Sequence, residues 1–293
     1  MLASIKLWCH AARPKTLFIG AAPIAIGTVL AASESLFSVK IFLWTLFGAL
    51  MMQIGTNYCN DYFDFLKGAD TSHRKGPRKI LQQGLVSPKA MLIAFLFCFA
   101  CAGLSTYVLA ARGGLLLVFV GITCIAFSIL YTAPPFPLAY LGLGDLFVLV
   151  FYGPIATLFC YYLQALHFSL VAFVASLAPG LLGVLVLTIN NLRDYEEDKK
   201  VHKKTLVVRL GLAYGKAQAL IVLALALMVP PSLTLLTRSH PYLPLSSLIL
   251  LVVAFPSCKK LMSLQSTETR SLFTECARMV PLYTLLFCMM WFV

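Results

Sequence analysis

The 293-residue sequence is too apolar for a soluble globular chain. Hydrophobic residues make up 60 % of it and charged residues 12 %, whereas soluble domains average about 45–50 % apolar and about 25 % charged residues. The charge is basic, with 23 Lys and Arg against 11 Asp and Glu. In a membrane protein such an excess reflects orientation and contact with anionic lipid. The composition therefore argues against nucleic acid as a partner and for a chain embedded in a lipid bilayer.

Nine apolar segments are long enough to cross a membrane. A span needs about 20 apolar residues, and the bilayer core forces its backbone into a helix. The first segment is longer than a signal-peptide core and leads into further spans, so we interpret it as a retained helix rather than a cleaved signal. The sequence predicts an all-α polytopic membrane protein, residues 1–293 forming a single domain. The predicted spans are 17–33, 41–64, 90–111, 114–132, 145–164, 169–191, 217–236, 242–258 and 273–293.

The basic residues fall almost entirely on one side of this predicted membrane protein. With a cytoplasmic N-terminus, 20 of the 23 Lys and Arg lie in cytoplasmic segments, and Lys40, Arg112 and Arg238 lie outside. This segregation is the positive-inside pattern. We expect a protein of the inner, cytoplasmic membrane whose N-terminus and two long polar loops, 65–89 and 192–216, face the cytoplasm.

Acidic and amide side chains cluster where the second and sixth spans end. Asn57, Asp61 and Asp64 are four and three residues apart, so they share one face of a helix. Asn190, Asp194 and Asp198 repeat this arrangement at the end of the sixth span. Taken singly, either motif could be a set of solvated acids at an interfacial helix end. Two such motifs on the same membrane side predict a joint site.

The donor atoms in these motifs favour a hard divalent metal. Carboxylates near hydrocarbon need a partner, and oxygen ligands without supporting His or Cys suit Mg²⁺ or Mn²⁺ better than zinc. Each motif is followed by a basic loop containing Lys67, Arg74 and Arg78 in the first case, and Lys203 and Lys204 in the second. Because Arg and Lys bind phosphate oxygens, we expect a diphosphate ligand, although the positive-inside bias alone would also place cations here.

The connection between the fourth and fifth spans is rich in proline and glycine. It reads YTAPPFPLAYLGLGD, from Tyr131 to Asp145. Its prolines end the fourth helix and its glycines allow a tight return, so it could form one wall of a cavity open to the cytoplasm. Asp145 is either part of that wall or a carboxylate favoured by the dipole of a helix N-terminus.

These motifs together resemble the UbiA superfamily of intramembrane aromatic prenyltransferases. The segments NDYFDFLKGADT, RKGP, YTAPPFPLAYLGLGD, FYGP and NNLRDYEEDKK, with ARPKTL before the first span, are most similar to the branch that prenylates 1,4-dihydroxy-2-naphthoate in menaquinone synthesis. The resemblance covers nearly the whole chain. It implies nine helices around a central cavity, capped by the loops after the second and sixth spans.

The resemblance also implies roles for single residues. A polyprenyl diphosphate would sit on Mg²⁺ held by Asn57, Asp61, Asp64, Asn190, Asp194 and Asp198, the four aspartates being essential for catalysis. Lys67, Arg74, Arg78, Lys203 and Lys204 would contact the diphosphate, and Tyr131 would line the wall near the ionising carbon. The lipid bilayer and an aromatic acceptor complete the implied partners.

Three other interpretations stay open at this point. Intramembrane acids also mark ion paths, so a transporter is the alternative from a different class. Within the enzymes, a 4-hydroxybenzoate polyprenyltransferase of ubiquinone synthesis is the runner-up, although the spacing of Asp61 and Asp64 and the GADT segment argue against it. A relative acting on an isomeric dihydroxynaphthoate would carry nearly the same motifs.

Overall fold

A computed structural model describes residues 2–68, 79–263 and 269–293, and every regular element within these ranges is helical. The described ranges contain twelve α-helices and one π-helical turn. They are α1 (Leu2–Ala11), α2 (Pro14–Ser33), α3 (Val39–Leu66), α4 (Pro88–Leu130), α5 (Gly144–Val150), the π turn (Phe151–Ile155), α6 (Ala156–Ala165), α7 (Leu170–Arg193), α8 (Tyr195–Lys200), α9 (Leu206–Leu210), α10 (Leu212–Thr237), α11 (Pro244–Met262) and α12 (Thr269–Met290).

The described residues contain eight helical stretches that are long and apolar enough to cross a membrane, with α5, the π turn and α6 counted as one continuous stretch, where the sequence predicts nine spans. The protein is a multi-span membrane protein, and the difference in count lies in α4. This element has 43 residues and contains both predicted spans 90–111 and 114–132. Gly114 interrupts it with φ 68° and ψ −166°, a backbone conformation that only glycine adopts readily.

The chain doubles back at Gly114, so α4 is a helical hairpin. In a straight helix, residues 106 and 121 would be about 22 Å apart. In the structure a Cβ on Gly121 would instead lie 2.5 Å from Thr106 Cγ2. The hairpin returns the chain to the end from which it started, and this places the loop after α4 beside the end of α3.

A second irregularity lies between α5 and α6. Gly153, with φ −100° and ψ −106°, and Pro154 interrupt the helical ladder and give one π-helical turn. Here α7 approaches closely, since a Cβ on Gly180 would lie 2.5 Å from the Leu149 carbonyl oxygen. The π turn thereby packs against α7 and directs the side chains of Phe151 and Tyr152 into the bundle.

Helix α7 is the buried centre of the bundle. It packs on α2, α10 and α12, and the largest hydrophobic core lies between these helices. Ser169 caps its N-terminus, and its last turn holds Asn190 and Arg193. A smaller core joins α1 and α3 to the start of α4. Since α3 and α7 end on the same side, their polar termini face one another.

Candidate active site

A cavity of about 630 Å³ runs through the bundle from the polar ends of α3 and α7. Asp61, Asp64 and Asn190 lie at its polar end, and Leu109, Leu117 and Leu163 close the other end. The walls between are mostly apolar and come from α2 to α7. Such a shape suits a ligand with a charged head and an apolar tail.

The first acidic motif is neutralised by cations in this structure. The guanidinium of Arg13 pairs with Asp61 Oδ1. The amine of Lys79 lies 2.6 Å from Asp64 Oδ2 and 3.6 Å from Asp61 Oδ1, and its side chain is only 4 % exposed. Tyr140 donates a hydrogen bond of 2.8 Å to the other oxygen of Asp64. Two carboxylates at the mouth of an apolar cavity are therefore held by two basic groups.

Asn57 contributes a third oxygen to this end of the cavity. Its Nδ2 donates to the carbonyl oxygen of Ala12 at 2.9 Å and to Thr16 Oγ1 at 3.2 Å. Both amide hydrogens are thus used, and within the described ranges Oδ1 accepts no hydrogen bond. An available amide oxygen beside two carboxylates is a donor set that fits Mg²⁺, which takes few protein ligands and completes its shell with water and phosphate. Among the described residues no three His, Cys, Asp or Glu side chains form a ready-made metal cage.

The second acidic motif does not stay on a single helix. Because α7 ends at Arg193, Asp194 leaves the helical conformation, with φ −94° and ψ 8°, and Asp198 falls on α8. Arg193 binds both oxygens of Asp194, at 2.6 and 2.7 Å, and the oxygen of Asn190 at 2.6 Å. The expectation of one continuous helical face is therefore wrong from Asp194 onward, although the backbone turn keeps the motif compact.

Tyr140 and Lys203 join the two motifs. Lys203 Nζ lies 3.3 Å from Asp198 Oδ1 and 5.9 Å from the centre of the Tyr140 ring, and the Tyr140 hydroxyl binds Asp64. The loop bearing Tyr140 also accepts a hydrogen bond from the backbone amide of Lys204. The structure thus brings together the two acidic motifs that the sequence separates by more than a hundred residues.

The residues predicted to contact the diphosphate differ in how close they lie to the cavity. Lys67 caps α3, donates to the Thr132 carbonyl oxygen and lies 4.0 Å from the centre of the Tyr140 ring. Partial burial lowers the pKa of Lys67, an effect opposed by Asp64. Lys203 lines the cavity, whereas the side chain of Lys204 is exposed. Arg74 and Arg78 lie outside the described residues.

The loop after α4 forms a wall of the cavity, as predicted. Tyr131 lines it, and its hydroxyl would be 3.1 Å from a Cβ on Gly144. Burial raises the pKa of Tyr131 above its ordinary value, so its phenol stays protonated at neutral pH. Asp145 also lines the cavity from the first turn of α5, and Gln218 donates a 2.8 Å hydrogen bond to it.

Several site residues could not be selected from the sequence. Arg13, Lys79, Tyr140 and Arg193 hold the acids, yet they look like ordinary residues of basic or aromatic segments. For Lys79 the sequence holds one weak signal, because this residue directly precedes the apolar Ile80 and Leu81, which the structure shows to be buried. A cation next to such residues is expected to be paired.

The bundle is that of a multi-span membrane protein whose central cavity is charged at one end and mostly apolar along its walls. The chain matches the UbiA prenyltransferase family over residues 21–287 and belongs to that family.

Proteins of known sequence and structure agree with this assignment. The chain is 39 % identical over 238 residues to the 1,4-dihydroxy-2-naphthoate octaprenyltransferase of Mycobacterium leprae, with 79 % of this chain and 80 % of the relative covered. It is 40 % identical over 210 residues to the protein of that name from Mycobacterium tuberculosis, with 72 % of each covered. A solved UbiA homolog from Archaeoglobus fulgidus, bound to GPP and Mg²⁺, has a TM-score of 0.66 at 16 % identity over 98 % of this chain and 99 % of that one. The predicted all-helical, UbiA-like fold is confirmed.

Proposed function

We propose that this protein transfers a polyprenyl group from polyprenyl diphosphate to 1,4-dihydroxy-2-naphthoate, in menaquinone synthesis. The observation that carries the proposal is the meeting of two acidic motifs and their cations at one end of an apolar cavity. The two mycobacterial relatives are named for this reaction. An anionic head with an isoprenoid tail matches the cavity in both charge and polarity.

The basic residues bind the diphosphate of the donor. Lys79 and Lys203 each lie between the cavity and an acid of a different motif, so both can turn from carboxylate to phosphate oxygens without leaving the site. Lys67 lies beside Tyr140 at the same end. Arg74, Arg78 and Lys204 complete the proposed set of cations. Their positive charge stabilises the diphosphate as the leaving group.

The acidic motifs would add a divalent metal to this stabilisation. When bound, Mg²⁺ supplies a Lewis acid for the charge that develops on the departing diphosphate. Asn57, Asp61 and Asp64 would hold one ion, and Asn190, Asp194 and Asp198 a second. Support comes from the Archaeoglobus fulgidus homolog, whose structure contains GPP with Mg²⁺. Mn²⁺ suits the same oxygen donors.

The apolar part of the cavity controls the reactive carbon. Once the allylic C–O bond breaks, the electron-rich naphthoate ring attacks the cation through the carbon that bears the carboxylate. Loss of that carboxylate as CO₂ then returns its bonding electrons to the ring and restores aromaticity. Tyr131 remains protonated in the wall beside the acids and orients the allylic end. Water would capture the cation, so the apolar walls protect the product.

The proposed orientation follows from charge. The acids and cations of the site share the side that holds 20 of the 23 basic residues. Under the positive-inside rule this side faces the cytoplasm. The diphosphate donor and the anionic acceptor then both enter from the cytoplasm, and the prenylated product stays in the inner membrane.

Turnover by purified protein tests the proposal. With polyprenyl diphosphate, Mg²⁺ and 1,4-dihydroxy-2-naphthoate, we expect diphosphate release and a prenylated, decarboxylated product in the mass spectrum. EDTA should stop both. Asp61→Ala should lower the rate by about a thousandfold or more. The variant lacks one ligand of the metal that would stabilise the negative charge on the departing diphosphate. Glu196→Gln, which changes an exposed acid of α8, should not.

Alternative outcomes separate the alternative functions. Product from 4-hydroxybenzoate in preference to the naphthoate would indicate the ubiquinone branch. Diphosphate release without a prenylated aromatic product would indicate a diphosphatase. Full activity of Asp61→Ala would contradict the assignment of the metal ligands.

A further inference from the structure

A hydrogen-bonded polar pair lies in the apolar part of the cavity, away from the charged groups. Tyr152 donates from its hydroxyl to Gln53 Oε1, and both side chains line the cavity. Their neighbours along the wall include Met52, Val148 and Ile155. Burying polar groups in the interior of a membrane protein costs free energy, so such groups are expected to bind a polar partner or a ligand.

The pair has a defined depth below the acids. Helices α2 and α3 run side by side, with Arg13 beside Asp61, Thr16 beside Asn57 and Gly20 beside Gln53. Gln53 precedes Asp61 by eight residues, which corresponds to about 12 Å along the helix. A flat aromatic molecule that lies next to the diphosphate, on the side of the apolar part of the cavity, would therefore reach Gln53.

Gln53 has hydrogen-bonding capacity to spare. The residue is 7 % exposed, and its Oε1 is occupied by Tyr152. Throughout the part of the chain that the structure describes, its Nε2 donates to no acceptor. The Gln53 side chain lines the cavity, so a ligand oxygen placed there can accept from Nε2 and use its donor capacity.

The π turn fixes the partner of Gln53. Tyr152 belongs to Phe151–Ile155, where Gly153 has a non-helical backbone. A π turn shifts the side chains around it by comparison with a regular helix, and such turns occur often at functional sites. Tyr152 is thereby aimed across the cavity at α3, and its oxygen can still accept one hydrogen bond.

We propose that Gln53 and Tyr152 form the subsite for a ring hydroxyl of the aromatic acceptor. This inference rests on the proposed function and assigns residues to acceptor selection. In 1,4-dihydroxy-2-naphthoate the 1-hydroxyl is ortho to the carboxylate and hydrogen bonds to it, which leaves the 4-hydroxyl for the protein. Its oxygen accepts from Gln53 Nε2, and its hydrogen is donated to the Tyr152 oxygen.

This arrangement explains how an apolar cavity can select its acceptor. A site built to hydrogen bond a hydroxyl discriminates against an analogue that lacks it, because the polar groups of the site are then left unpaired. The prenyl tail has no such group and gains nothing from the pair. Gln53 and Tyr152 therefore act on the acceptor and not on the donor.

Binding of two acceptors to wild type and to two variants tests the proposal. The ligands are 1,4-dihydroxy-2-naphthoate and 1-hydroxy-2-naphthoate, which differ by the 4-hydroxyl, and their Kd is measured anaerobically in detergent. Wild type should bind the second about tenfold more weakly, as expected for one buried hydrogen-bond partner. Gln53→Met and Tyr152→Phe should bind both ligands about equally.

Kinetics and a control variant separate recognition from structure. Gln53→Met should raise the KM for the acceptor about tenfold and leave the KM for the prenyl diphosphate unchanged. Thr45 lies eight residues before Gln53 on α3 and also lines the cavity, and its hydroxyl donates to the Ile41 carbonyl oxygen. Thr45→Val is the control variant. This control should keep the wild-type preference for the 4-hydroxyl.

Each other result contradicts a stated claim. If Gln53→Met and Tyr152→Phe retain the wild-type preference, or weaken both acceptors alike, the subsite assignment is wrong. A wild type that binds the two acceptors equally overturns it as well. A wild type that prenylates neither naphthoate contradicts the proposed function itself, which is a separate failure.

Discussion

The amine of Lys79 lies between the carboxylates of Asp61 and Asp64. In Lys79→Met this cation is lost, and removal of one partner from a buried ion pair destabilises a fold by up to about 3–5 kcal/mol. We expect a lower Tm in EDTA. Mg²⁺ should raise the Tm of the variant more than that of wild type, because it can take the place of the missing charge. Thermal unfolding in detergent, with EDTA and with Mg²⁺, measures both effects.

Lys89→Met is the matched control for this change. It removes the same charge from an exposed position in the first turn of α4. Its Tm and its response to Mg²⁺ should equal those of wild type. An equal Mg²⁺ shift in Lys79→Met and wild type would show that Lys79 does not compete for the metal ligands.

At the residue scale, the sequence predicted what depends on local spacing. Asn57, Asp61 and Asp64 share one face because helical periodicity alone places them there. Their partners come from far along the chain, since Arg13 is 48 residues from Asp61 and Tyr140 is 76 residues from Asp64. Packing of whole helices decides such contacts, and a single sequence gives no distance between helices.

At the scale of elements, Gly114 makes the hairpin of α4 possible. Its φ of 68° with ψ of −166° is unfavourable for any residue with a Cβ. Gly114→Ala should therefore cost about 1–3 kcal/mol and lower the Tm. Within the described part of the chain, no atom beyond the adjacent backbone lies within 4 Å of a Cβ at this position, so the expected loss comes from the backbone conformation and not from a clash. Thermal unfolding in detergent measures it.

Gly103→Ala in the same helix is the control. A Cβ there also meets nothing within 4 Å, but the backbone is helical. Alanine is favoured over glycine in a helix by up to about 1 kcal/mol, so this variant should be as stable as wild type or more so. Equal Tm values for the two variants would contradict a strained turn at Gly114.

The same element shows where sequence patterns are ambiguous. The two arms of α4 were predicted as separate spans. The turn between them is not recognisable as a loop, because the Gly113–Gly114 pair is too short. The end of α7 is the opposite case, since the acidic segment after Asn190 has good helical spacing but the helix stops at Arg193. At this helix end Arg193 pairs with Asp194 and Asn190, and Asp194 has left the helical conformation.

For the whole molecule, the contacts between distant loops require the acids to lie at one end of the bundle. Asp64, before α4, binds Tyr140, after α4. Lys203, after α7, joins the same cluster. These contacts form only if α4 returns to its starting side. They therefore locate both acidic motifs at one end of the bundle without any use of the hydropathy pattern. It agrees with the segregation of basic residues, and the two arguments together predict which side faces the cytoplasm.

Native Cys9 offers a direct test of that orientation. It lies on α1 and is the exposed member of the nine cysteines, the others being buried or partly buried. If the N-terminus is cytoplasmic, a membrane-impermeant maleimide should label Cys9 in inverted vesicles and not in intact cells. Ser239→Cys, introduced with Cys9→Ser, places a thiol in the exposed loop between α10 and α11 and should show the reverse. Labelling of Cys9 in intact cells would invert the predicted topology, and the diphosphate site would then face away from the cytoplasm.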